Sequence, residues 1–264
     1  MITQIYEIQT PEEVESLCAL GIDHIGSVIL SSDIWQQPLL RETIHAIQRG
    51  GKKSSLIPLF STPDAVFRTL DYYRPDIVHF CDVIPDPLSH QQVCNRLIDL
   101  QQEVRKRYPE LALMRSIPIG RSSGESAVPT MKIAELFQPV SDYFLTDTIL
   151  SSVALEVHQP VDGFIGITGQ TCHWGTARQL VLESEIPVIL AGGLSPENVY
   201  DAILEVAPAG VDSCTCTNRL DHHGKPQRFK KDLERVERFV LEARRASANL
   251  PGEHIENQAP PIHH

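Results

Sequence analysis

The residues best suited to chemistry are a glycine pair, Gly192-Gly193, and a scattered set of acids, thiols and imidazoles. The pair follows a short apolar run at 187–191 (PVILA) and precedes Ser195-Pro196-Glu197. Serine is a favoured N-cap, proline suits the first helical position, and glutamate complements the positive end of a helix dipole. The pattern predicts a strand, a tight turn and a helix N-terminus. Free backbone N–H groups at such a junction can cradle a phosphate, and the dipole adds to the attraction. A plain strand-to-helix turn carries the same residues. Asp212, Cys214 and Cys216 alternate along the next apolar run, so they share one face of a strand. Together with Cys172, His173, His79 and Cys81 they offer the thiolate and imidazole groups that zinc takes. No CxxC or HExxH spacing is present, and cysteine is commonly a buried residue, so neither metal nor other cofactor is expected.

Composition narrows the partners. An apolar fraction of 42% and a charged fraction of 22% are those of an ordinary globular protein. The formal net charge of −11 argues against a nucleic-acid binder, because it repels the phosphate backbone; a phosphorylated small molecule needs only a local nest of donors. No apolar run approaches the roughly 20 residues of a membrane span. The first residues, MITQIYEIQTPEE, lack the basic and apolar regions of a signal peptide, and six cysteines without a small-domain framework fit a reducing cytoplasm.

The elements that must position these groups alternate in type. Short apolar segments at 2–8, 24–30, 55–60, 76–81, 111–119, 142–146, 163–168, 187–191 and 210–215 are separated by helical patterns. The helices include 88–106, 126–137 and a final one at 231–245. Such alternation is the mark of a parallel sheet covered by helices, and 264 residues suit one α/β barrel. Nine strand candidates are one too many for eight, and the sequence leaves open which is surplus. One domain is expected over 1–248, followed by a proline-rich tail at 249–264, disordered or draped on the surface. His222-His223-Gly224-Lys225 reads as a solvated loop, although Lys225 and Arg219 would add charge to a phosphate pocket. Trp174 is expected in the core; Trp35 either covers the site or packs.

Taken in order, several stretches resemble the phosphoribosylanthranilate isomerase family. They are QIYEIQTPEEVESLCALGIDHIGSVI at the start, DIVHFCD, YFLTDT, GQTCHW, VILAGGLSPENVYDAI, GVDSCT and KKDLERVERFV. The resemblance covers most of residues 1–245. It implies a single (β/α)8 barrel of the ribulose-phosphate-binding type, in a cytoplasmic enzyme of tryptophan biosynthesis, monomeric or homodimeric. The activity implied is an Amadori-type aldose–ketose isomerisation of a phosphorylated sugar derivative, an intramolecular oxidoreductase reaction. It requires an acid at the ring oxygen and a base at the neighbouring carbon.

By this resemblance Asp147 stands at the general acid, where an apolar pocket would keep a carboxyl protonated; read from the chain alone it caps the helix that follows. Tyr6 stands where the family has its cysteine base, with Glu7 beside it as a possible substitute. Strand alternation puts Tyr6 and Glu7 on opposite faces. Asp33 stands in place of an arginine that helps hold the substrate, and Gln170 in place of a loop lysine. Gly192, Gly193, Thr215 and Cys216 correspond to the phosphate site, with Thr215-Cys216 replacing Ser-Gly. Asp212 corresponds to a substrate contact, joined as binding candidates by Arg115 and His79; otherwise Asp212 is a buried acid satisfied by a neighbour such as Arg115. These departures leave an alternative: a diverged barrel that binds a phosphorylated ligand without this activity.

Overall fold

Short strands buried on both faces need helices on the outside and side chains within, and a closed βα barrel supplies both. A computed structural model, describing residues 1–122, 128–150 and 162–250, takes this form. The strands β1 (Ile2–Ile5), β2 (His24–Ile29), β3 (Lys53–Pro58), β4 (Ile77–Phe80), β5 (Ala112–Ile119), β6 (Tyr143–Thr148), β7 (Val188–Leu190) and β8 (Gly210–Ser213) form a closed barrel in chain order. Every neighbouring pair is parallel, and β1 closes on β8 with Ile2 opposite Gly210 and Ile5 opposite Ser213. Glycine is required at that seam, since a Cβ on Gly210 would meet the Ile2 Cβ at 2.7 Å.

Helices α1 (Pro11–Ala19), α2 (Pro38–Arg49), α3 (Pro63–Tyr73), α4 (Gln91–Arg107), α5 (Thr130–Phe137), α6 (Trp174–Glu183), α7 (Val199–Val206) and α8 (Leu233–Asn249) follow the strands. Three of them, α1, α2 and α3, open with proline at the first turn, where its missing N–H costs nothing. Their apolar stripes pack on the barrel's outer face: Leu17, Ile47, Phe137, Ile203 and Phe239 belong to one buried cluster, and Leu40, Val66 and Leu70 to a second. A third cluster, including Tyr6, Val28, Met114, Leu145 and Ile189, holds several of the residues that face the interior. No described helix is long and apolar enough to cross a membrane.

The surplus strand is 163–168. It is not part of the barrel, and its contact with β4's end is the isolated bridge between Asp82 and Phe164. Gly163, Gly166 and Ile167 have φ of 80°, 107° and 60°, so extended backbone cannot run through them. The segment instead straps the mouth of the barrel, with Val83 N and Ile165 N donating to Gly163 O and Cys81 O. The expected solvated loop after β8 is present, with His222, His223, Gly224 and Lys225 all exposed; what the sequence reading lacked is the antiparallel hairpin that flanks it, β9 (Asn218–Leu220) and β10 (Pro226–Lys231).

Helix starts also shift. Ser195 governs a turn in which its N–H donates to Asn198 Oδ1, and α7 begins at Val199. The 126–137 helix is described from Thr130. Of the expected tail, residues 251–264 lie outside the described residues.

Candidate active site

Parallel strands that all end at one rim place their last side chains around a common mouth. Here the mouth holds a cavity, open to solvent, lined by residues at or near the ends of every barrel strand but β5 and by the 164–169 strap. Tyr6, Glu7, His79, Asp147, Gly192, Gly193, Asp212, Thr215 and Cys216 all line it.

Tyr6 and Glu7 both reach the cavity, contrary to the alternation expected of them. β1 ends at Ile5, and Glu7 has a left-handed backbone with φ 68°, which turns its side chain inward. Buried at 1% exposure, its carboxylate accepts from Arg228 Nε at 2.6 Å and from Asn218 Nδ2 at 3.4 Å. The Tyr6 ring lies on Gly26, where a Cβ would come within 2.0 Å of it. Its hydroxyl sits 2.6 Å from Ser55 Oγ and 2.8 Å from His79 Nδ1. Burial pushes the Tyr6 phenol well above its ordinary value. His79 is buried too; burial, and then the nearby Arg115 charge, lower its pKa to about 3, so the imidazole is neutral.

Asp147 ends β6. Its Oδ1 accepts from Thr148 N at 3.0 Å, and the nearby Ser116 hydroxyl also favours the carboxylate. The strap presses close, since a Cβ on Gly166 would meet Asp147 Oδ2 at 2.5 Å. Enclosure raises the carboxyl to about 7, desolvation outweighing both effects. Asp212 is likewise raised to about 7, by burial first and also by the negative charge of Asp147. Its hydrogen-bond partner is Gln4 Nε2 at 3.2 Å.

Arg115 is not that partner and does not line the cavity. Its Nη1 lies 2.7 Å from Asp82 Oδ2, and its guanidinium is stacked 4.6 Å from the centre of the Phe137 ring. Asp33 is exposed in a short 3-10 turn, away from the cavity lining.

Gly192 and Gly193 have φ of 94° and 59°. Their Cβ directions are filled, Gly192 by Thr148 Oγ1 at 2.4 Å and Gly193 by the backbone of Gln170 and Thr171 at 2.6 Å, so no other residue fits there. Cys216 sits in a 3-10 turn, Thr215–Thr217, and is not among the residues of positive φ, so a side chain is accommodated. Among the described residues, the N–H groups of Gly192, Gly193, Thr215 and Cys216 have no protein acceptor. Four such N–H groups among the residues that line a cavity suit an anion. Gln170, by contrast, contributes its carbonyl, which accepts from Thr148 Oγ1 at 2.7 Å.

Cys81, Cys214 and Cys216 reach the cavity as neutral thiols, burial raising each. Among the described residues no group of three or more His, Cys, Asp or Glu is placed to hold a metal ion.

The residues missed from sequence are those of the hairpin. Arg228 reaches Glu7 across 221 positions of sequence, and the buried Lys231 donates to Cys214 O at 2.8 Å and Asn218 Oδ1 at 2.5 Å. A short loop containing Gly224 between two strand-like runs is the signal that would have found the hairpin.

Comparison with known proteins follows the same lines. Residues 110–216 match the family model for N-(5'phosphoribosyl)anthranilate (PRA) isomerase. The chain is 25% identical to N-(5'-phosphoribosyl)anthranilate isomerase 1 of Methanosarcina mazei over 248 residues, covering 91% of this chain and 94% of the relative. The crystal structure of phosphoribosyl anthranilate isomerase from Thermotoga maritima superposes with a TM-score of 0.65 at 17% identity, over 92% of this chain and 99% of that one. A phosphoribosyl anthranilate isomerase in complex with reduced 1-(o-carboxyphenylamino)-1-deoxyribulose 5-phosphate gives a TM-score of 0.62 at 17% identity, with the same coverage of 92% and 99%. These similarities to solved structures concern the fold.

Proposed function

The chain belongs to the phosphoribosylanthranilate isomerase family, and on that premise we propose that it isomerises N-(5'-phosphoribosyl)anthranilate, an aminoaldose, to the aminoketose. The observation that carries this reading is Asp147: a strand-end carboxyl raised to about 7 within a cavity that also offers four free backbone donors. An acid of that pKa is about half protonated at neutrality, more so below it, and gives its proton readily, which is what opening a sugar ring requires.

The phosphate is assigned to the N–H groups of Gly192, Gly193, Thr215 and Cys216, which hold an anion without a dedicated cation. This end fixes the sugar so that its ring oxygen meets Asp147. Asp212 and His79 line the same cavity and bound the rest of the substrate. Arg115 is given a supporting role: by holding Asp82 it fastens the end of β4, where the strap is bonded. Removal of the carbon-bound proton falls to the residues at the end of β1, Tyr6 and Glu7. The isomerase crystallised with a 5-phosphate ligand supports a phosphorylated substrate for this one. The reading of a barrel without this activity is not favoured, because relatives bearing the isomerase name align over about nine-tenths of the chain.

The test is the loss of phosphoribosylanthranilate fluorescence on adding purified protein. Turnover is expected, and Asp147→Asn is expected to lower kcat by about 10²–10⁴-fold, the usual worth of general acid catalysis. Absence of turnover by the wild type overturns the assignment.

A further inference from the structure

Three hydrogen bonds join four side chains inside the barrel, Ser55, Tyr6, His79 and Ser116, in a line from the cavity end of β1 to the neighbourhood of the acid on β6. Ser55 Oγ lies 2.6 Å from Tyr6 Oη, which lies 2.8 Å from His79 Nδ1. His79 Nε2 lies 2.8 Å from Ser116 Oγ, and the Ser116 hydroxyl stands close enough to the Asp147 carboxyl to favour its ionised form. All four side chains are buried, and both imidazole nitrogens are used.

A neutral imidazole has one donor nitrogen and one acceptor nitrogen, so the line has two polarities. With Asp147 ionised, Ser116 donates to it, His79 Nε2–H donates to Ser116, Tyr6 donates to His79 Nδ1, and Ser55 donates to Tyr6. When a protonated Asp147 donates to Ser116, every donor and acceptor reverses. The state of the acid is therefore recorded in the tautomer of His79.

We propose that Tyr6, His79 and Ser116 form a proton relay, in which Tyr6 removes the substrate's carbon-bound proton and the relay returns a proton to Asp147. This rests on the isomerase reading. In the first step Asp147 protonates the ring oxygen; the carbon–oxygen bond breaks towards that oxygen, and the nitrogen lone pair forms a carbon–nitrogen double bond. Asp147 is now a carboxylate, and the line is polarised towards it. In the second step the neighbouring C–H bond breaks. Its electrons form a carbon–carbon double bond, and the π electrons of the carbon–nitrogen bond return to nitrogen. The proton goes to Tyr6 Oη as the Tyr6 proton moves to His79 Nδ1, the Nε2 proton to Ser116 Oγ, and the Ser116 proton to Asp147. One proton has left the protein and one has returned. The resulting enol becomes the ketone by moving its own hydroxyl proton to carbon.

The surroundings favour a concerted passage. Burial makes a Tyr6 phenolate costly and a His79 imidazolium equally so, and neither forms when each group gives a proton as it takes one. The basicity that draws the proton is that of Asp147, at the far end of the line. Glu7, the competing base, has its charge engaged by Arg228 and Asn218.

Two measurements decide it. In ¹⁵N spectra of the wild-type protein, the His79 tautomer is expected to switch with a midpoint near pH 7, and to stay fixed in Asp147→Asn and in Ser116→Ala. This readout needs no turnover, so failure of the isomerase assignment remains distinguishable from failure of the relay. In the fluorescence assay, Tyr6→Phe and Ser116→Ala are expected to lower kcat by about 10²-fold or more, within the range for proton transfer catalysis, with KM nearly unchanged. The solvent isotope effect is expected to have a curved proton inventory that becomes linear in Ser116→Ala. An invariant His79 tautomer overturns the relay. So does Glu7→Gln abolishing turnover while Tyr6→Phe retains it.

Discussion

Glu7 adopts a conformation that glycine would adopt more cheaply, with φ 68° and a buried carboxylate. Left-handed backbone at a non-glycine residue costs on the order of 1–3 kcal/mol and persists when its surroundings hold it. Arg228 and Asn218 do so here. Arg228→Ala leaves a buried carboxylate without its cation, a change expected to lower stability by about 2–4 kcal/mol, measured by urea unfolding at pH 8.

Asp147 makes an opposite prediction. Its folded pKa, about 7, lies above the roughly 4 of an unfolded aspartate, so the folded state binds more protons between these values. Its favourable contribution is full below about pH 4 and is lost as pH rises to about 7. Asp147→Asn is therefore expected to be more stable than wild type at pH 8, by about 1–3 kcal/mol, with the gain shrinking towards pH 4. Stability and activity are expected to move in opposite directions in this variant. At this scale the sequence was legible where a side chain acts through its own strand. Asp147, Gly192 and Asp212 meet at one cavity, as strand ends of a barrel must. Arg228 was not legible, because its contact joins positions 221 apart: a hairpin signal at Gly224 tells that two strands pair, not which distant carboxylate they meet.

At the level of elements, the segment 162–169 separates pattern from structure. GFIGIT has the composition of a strand, and apolar composition is what a sequence displays. Whether the backbone can extend depends on φ at Gly163, Gly166 and Ile167, and glycine permits either answer. The segment became a strap because eight strands already closed the barrel. Gly166→Ala is expected to destabilise the protein by about 1–3 kcal/mol: the position has φ 107°, and the added methyl would press on the Asp147 carboxyl. Thermal unfolding measures it, and Gly224→Ala, in the open hairpin turn at φ 76°, serves as the comparison with backbone cost but no contact. The helix boundaries teach a similar lesson. Ser195-Pro196-Glu197 has the residues of a helix start, yet the chain uses Asn198 to close a turn first, an outcome set by the exit direction from Gly193.

Across the whole molecule, the barrel is sealed by its two ends. β1 lies beside β8, Lys231 N–H donates to Glu13 Oε1 at 3.4 Å, and Arg244 Nη2 donates to Leu20 O at 3.0 Å. β1 thus waits for β8, with one edge unpaired while some 200 intervening residues are made. Closing so long a loop carries an entropic cost that grows with the logarithm of its length and slows the search for the native pairing. A circular permutant that links the end of α8 to β1 and opens the chain at the exposed Asp86–Ser89 turn would make this seam a local contact. It is expected to refold faster than the natural chain in stopped-flow dilution from urea, while retaining the cavity's geometry. In the order of this chain, the yield of folded protein is expected to fall the longer the β1 edge stays unpaired.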